Sequence, residues 1–186
     1  MKIFLYIILL FFYNGCNLEE KFYVLSTSSS PSLHYKKMHK SIGVEKVIIP
    51  HDLFKREIAV AKSSSEIYFL QRATWAENLD EGLTNRLISF LQKKFNNPNV
   101  YHYPWGVDTQ PDIKIKLQIT RFIAENNKIY LNATWRVVNL HTQRVNAKLF
   151  SQQIKTSEES SKIVSSMDSI FRRLEEKIAL SVKNSL

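Results

Sequence analysis

The sequence predicts an α+β fold: a mainly antiparallel sheet with two long helices packed on one face, in a single domain. Three observations predict it. Residues 112–123 alternate, Ile113, Ile115, Leu117 and Ile119 against Lys114, Lys116, Gln118 and Thr120, as in a strand dry on one side and wet on the other. Residues 79–95 and 157–183 carry apolar side chains every third or fourth position, the period of a helix face. The chain order is strands, helix, strands, helix, which suits helices gathered on one side of a sheet. A length of 186 residues fits one domain, and 44% hydrophobic residues supply a core that a disordered chain lacks. With only 4 Gly and 5 Pro, and no repeat at a period of about 20–50 residues, a solenoid or collagen-like chain does not fit.

At the N-terminus Lys2 supplies a positive charge, 3–13 is an unbroken apolar run, and Asn14-Gly15-Cys16 follows. A charged start, a short apolar stretch and a small residue at the cut describe an export signal. The run is too short to span a bilayer, which takes about 20 apolar residues. Cys16 is the single cysteine, so an exported domain has no internal disulfide. A Cys directly after a small residue resembles a lipoprotein signal, in which the thiol receives a lipid (palmitate among its acyl chains) and cleavage falls just before it. Buried methylenes at about 0.8 kcal/mol each make such an anchor stable. An ordinary signal or an uncleaved anchor with a chance Cys is the alternative. Asn17 follows where an Asp would retain a lipoprotein at the inner membrane, so the resemblance implies the outer membrane. The expected division is a signal peptide over 1–15, a lipidated N-terminus with a first short strand and a Ser-rich segment over 16–41, and the α+β domain over 42–186.

The elements follow in order. Phe22-Tyr23-Val24-Leu25 reads as a short strand, and residues 26–32 as a polar tether or loop. Residues 42–49 read as a strand stopped by Pro50. Residues 58–61 and 67–70, separated by Lys62-Ser63-Ser64-Ser65, read as a hairpin. The first helix covers 79–95, with Leu79, Leu83, Leu87, Ile88, Leu91 and Phe95 on one face, Asn78 and Glu81 as a capping box, and Lys93 and Lys94 at its negative end. Asn96-Asn97-Pro98-Asn99 ends it. After the 112–123 strand, Glu125-Asn126-Asn127-Lys128 makes a hairpin into 129–138, and 144–154 completes a meander. Thr156 and Glu159 form a second capping-box pair for the last helix, striped by Ile163, Met167, Ile170, Leu174, Ile178 and Val182. The stripe packs on the sheet or, alternatively, on a partner helix.

The net charge of +9 is spread along the chain, densest over residues 34–40. No RNA-binding signature surrounds that spot, so nucleic acid is not expected as a partner. A soluble basic exported protein, or one touching an anionic surface, accounts for the charge. His34, His39, His51, His102 and His141 lack metal-ligand spacing, and no metal or cofactor is expected. There is no phosphate loop, nucleophile elbow or HExxH. His51-Asp52 reads as surface turn, and Glu77, Asp80 and Glu81 as helix-start acids, so no enzyme is expected. Trp135 reads as core, and Trp75 as packing against the first helix. Tyr101, Tyr103 and Trp105 form an aromatic loop with two readings, edge packing or partner contact.

The chain resembles the auxiliary lipoproteins of ABC-type lipid transporters, the YmbA or paraquat-inducible protein C group. The resemblance runs from Cys16 and Phe22-Tyr23-Val24-Leu25 through Ile42-Gly43-Val44, Val47-Ile48-Ile49-Pro50 and Ile58-Ala59-Val60. Its most telling part is Trp75-Ala76-Glu77-Asn78-Leu79 with Leu83, Arg86, Leu87 and Leu91. Pro104-Trp105, Phe122 and Trp135 also fit. It implies a non-enzymatic, periplasm-facing outer-membrane lipoprotein that docks the MCE-type (mammalian cell entry) substrate-binding protein of an ABC transporter moving lipid between membranes. A homo-oligomer is also implied. A lipoprotein assisting assembly of a lipopolysaccharide-export or secretion complex is the alternative with the same signal.

Overall fold

A computed structural model describes residues 19–25, 30–104 and 110–186. Eight strands occur among them: β1 Lys21–Tyr23, β2 Ile42–Glu45, β3 Glu57–Ser63, β4 Glu66–Trp75, β5 Val100–Tyr103, β6 Ile113–Glu125, β7 Lys128–Asn139 and β8 Val145–Lys155. The helices are α1 Leu79–Phe95 and α2 Ser160–Lys183, with a 3-10 turn at His51–Phe54.

Strand β6 organises one mixed sheet. Along one side it carries β2 in parallel at its start, a bridge to Ile48 in its middle and β3 in parallel at its end. Along the other it pairs antiparallel with β7, and β7 with β8. β3 pairs antiparallel with β4, β1 adds in parallel to β4, and β5 in parallel to β2. The long ladders are thus antiparallel and the parallel additions short. The β6–β7 turn explains the longest ladder: Asn126 and Asn127 sit at φ 48° and 55°, the paired left-handed positions of a type I′ hairpin, which Asn tolerates.

Both helices cover the dry face. Ile113, Ile115 and Leu117 of β6 and Ile129, Leu131, Trp135 and Val137 of β7 join one core with the whole α2 stripe. The stripe therefore packs on the sheet. The Trp135 indole N–H donates to Ser181 Oγ at 3.0 Å, satisfying the one polar atom that ring buries. In α1 the predicted apolar residues are buried except Ile88, which lies at the core's margin, while Phe90 takes a fully buried place. The basic stretch 34–40 straps the end of α1: Tyr35 packs on Phe95 at 5.2 Å and Met38 is buried.

Several local expectations differ from the structure. Neither capping box forms at its helix start. Asp80 Oδ1 accepts the Glu81 N–H at 2.8 Å, Lys46 engages Asp80 at 2.9 Å and Glu81 at 3.4 Å, and Asn78 and Glu81 meet only side chain to side chain, Nδ2 to Oε2 at 3.5 Å, with no bond to the backbone N–H groups of the cap. α2 starts at Ser160 with Glu159 as N-cap, and the Thr156 amide donates to Asn127 O across the β6–β7 turn instead. The strand expected to run to Ile49 ends at Glu45, because the Val47 amide turns to Thr84 Oγ1 of α1 at 2.9 Å. β4 runs on to Trp75, which is a buried strand end. The ladder with β3 is interrupted between Phe69 and Thr74, where Arg72 adopts φ 59°, and beyond that bend β4 receives β1.

Candidate docking surface

The aromatic segment expected to be a loop begins as a strand. Asn96, at φ 44°, stops α1, and the Asn97 side chain then holds Lys40 O at 2.8 Å and the Asn99 amide at 3.0 Å. That turn delivers β5 to β2, with Val100 buried and its carbonyl held by Gln92 Nε2 at 3.1 Å. Sequence reading missed β5 because four residues with one buried position carry no periodicity.

On this edge strand Tyr101 is 45% exposed and its hydroxyl donates to Asn99 Oδ1 at 3.0 Å. Tyr103 is half-buried. Its hydroxyl donates to Gln110 Oε1 at 2.9 Å, and Lys114 Nζ lies 5.5 Å from its ring centre. Gly43 of β2 makes room for it: a Cβ there would come 3.0 Å from Tyr103 Cβ and 2.9 Å from Pro111 Cγ. The Tyr103–Gln110 bond joins the described chain on either side of residues 105–109.

Behind that base, Asp112 Oδ2 accepts from the Ser41 amide at 2.6 Å and hydroxyl at 2.8 Å, and Oδ1 meets His141 Nε2 at 2.6 Å. Partial burial pushes the Asp112 carboxyl up, but the Ser41 donors and His141 outweigh it and hold the carboxyl below its ordinary value. His141 reaches Asp112 and Ser41 does not reach His141, so the arrangement braces β2 against β6 and is no nucleophile–base relay.

Of the predicted site residues, Tyr101 and Tyr103 therefore lie together on β5. Trp105 and Cys16 lie outside the described residues. Trp75 and Trp135 are buried. Among the described residues no group of three or more His, Asp or Glu is arranged to hold a metal ion, and no helix is long and apolar enough to cross a membrane.

The main polar cluster was missed from sequence. Arg86 of α1 is fully buried and grips Glu175 of α2 with two bonds, Nε to Oε1 at 3.1 Å and Nη2 to Oε2 at 3.2 Å. It also reaches the Asp168 carboxylate and Leu25 O at 3.4 Å, and lies 5.2 Å from the Phe171 ring centre. One guanidinium thus joins both helices to the segment after β1. Burial pushes Glu175 up to about 7 against the pull of Arg86, whose charge Asp168 shares. Burial likewise opposes the charged Arg86, but two carboxylates carry it above its ordinary value. The available signal was an Arg between Leu83, Leu87 and Phe90, and a Glu beside Leu174 in the α2 stripe.

Known proteins share this fold. The family model for ABC-type transport auxiliary lipoprotein components matches residues 23–179. No curated protein matches the chain. A solved structure of an uncharacterized protein superimposes with a TM-score of 0.71 at 18% identity, covering 88% of this chain and 99% of that one. Protein XCC0632 from Xanthomonas campestris, of the family DUF330, gives 0.73 at 12% identity, covering 88% and 98%.

Proposed function

The chain belongs to the family of ABC-type transport auxiliary lipoprotein components, and on that premise we propose that it is a non-enzymatic outer-membrane lipoprotein that docks the MCE-type substrate-binding protein of a lipid-transporting ABC system from the periplasmic side. The observation that carries this reading is the match over residues 23–179, which takes in β2 to β8, all of α1 and most of α2. In this reading Cys16 bears the lipid. Tyr101 and Tyr103 on the β5 edge, with Trp105 in the adjoining segment, contact the partner. Aromatic side chains at an exposed edge supply large contact area at low entropic cost. A homo-oligomer would repeat that edge around the partner. The chain's part is positional: it holds the transport component at the membrane and drives no chemical step.

The test is a crosslink and pull-down from membranes of the producing bacterium, with captured proteins identified by mass spectrometry. Native protein is compared with Cys16→Ser and Tyr101→Ala. Capture of an MCE-type protein that falls about tenfold in Tyr101→Ala, the scale of one interface hot spot, is the expected result. Capture that is also lower in Cys16→Ser ties docking to the anchor. Capture of β-barrel or secretion-channel components alone would sink the reading.

A further inference from the structure

We propose that the β8 edge is a second docking site, which takes an acidic, extended segment of a partner protein as an added strand. Among the described residues strand β8 pairs with β7 alone, and its other side is open from Val145 until the Lys155 carbonyl, which accepts from Ser166 Oγ of α2 at 3.3 Å. Open edges accept further strands through their main-chain groups. On the sheet's uncovered face this edge presents Leu149, 82% exposed, and Val145, 51% exposed.

The charge pattern selects the occupant. From Asn126 to Ser157 the sequence holds Lys128, Arg136, Arg144, Lys148 and Lys155 and no acidic residue. Two like-charge pairs stand directly opposite in the ladders, Lys116 against Arg136 and Lys128 against Lys155, with Glu125 facing Lys128 from the other side. Facing cations destabilise a sheet, so an anion placed beside either pair would relieve a repulsion that the ladder register imposes. Neighbouring Lys114 and Arg121 are already matched, by Glu45 and Glu125. An added strand with Asp or Glu between apolar residues would lie beside Lys155, reach Arg136 one strand further in, and cover Leu149 and Val145.

The same pattern disfavours the other occupants. A second copy docked β8 to β8 would bring two acid-free strands together, cation against cation. A lipid surface cannot satisfy the peptide groups of an open edge. Five strand steps separate β8 from β1, about 24 Å at about 4.8 Å each. An anchor three residues before Glu19 in sequence, at most about 11 Å of chain, would hold the β1 side nearer the bilayer than the β8 side. That orientation rests on the anchor reading above; the open edge and its charges stand without it.

The experiment places a photocrosslinking amino acid at Leu149 or Val145 of the full-length protein in the producing bacterium. Mass spectrometry then maps the crosslinked peptide. The expected product is a segment of another protein that carries net negative charge and alternates with apolar residues, with yield falling about tenfold in the Lys148→Glu, Lys155→Glu double variant. The same product from Cys16→Ser supports the site even if the anchor reading fails. A crosslink to a second copy, to lipid only, to a segment without net negative charge, or to nothing from either position would overturn the proposal.

Discussion

Arg86 is the residue on which the packing of both helices turns. A guanidinium with no exposure needs its carboxylates, because each charge stranded without its partner keeps the cost of leaving water. Arg86→Leu leaves Glu175 and Asp168 facing an apolar side chain, and is expected to destabilise the fold by about 3–5 kcal/mol, read as a lower urea midpoint. Glu175 gives a pH signature. Between its ordinary value of 4.5 and about 7 the folded chain keeps a proton that the unfolded chain has released. Folding takes up that proton, so this group's contribution to stability falls as pH rises through the window. Urea midpoints measured across it should fall less steeply for Glu175→Gln than for the native chain. Equal slopes would mean that Glu175 is not held protonated.

At the scale of elements, the β6–β7 hairpin sets the register of the longest ladder. Its two Asn residues occupy left-handed positions that glycine enters without steric cost. Asn127→Gly is expected to be stabilising by up to about 1 kcal/mol, seen as a higher thermal midpoint, while a β-branched residue there should do the reverse. The elements legible in the sequence were those with period and length: α1, whose predicted limits match, and β6 and β7, displaced by a residue or two. Those that were not legible owe their form to distant partners. β5 exists because β2 offers it an edge. β4 bends at Arg72 and reaches Trp75 because β1 and Arg56 are there to pair with it.

Across the whole molecule, the sheet has a β5 edge with aromatics and a β8 edge with cations, on opposite sides of β6. The tyrosines were readable as candidates because exposed aromatics stand out by type. Their cooperation was not, since Gly43 and the pair Gln110 and Lys114 come from two other stretches of chain. The acid-free stretch after Asn126 does not stand out in a sequence whose positive charge is spread along the chain. Only the ladder register sets Lys116 against Arg136 and Lys128 against Lys155.

By itself, then, the sequence determined the α+β class, the helix stripes and the β6–β8 meander, because each depends on neighbours a few residues apart along the chain. It also carried the family resemblance, through the order of short motifs. Only the tertiary structure decided the parallel additions at β1, β2, β3 and β5, the fate of the helix caps and the Arg86–Glu175 clamp. Those depend on pairings between residues about 30 to 90 positions apart, whose free energy appears only once the loops between them are closed.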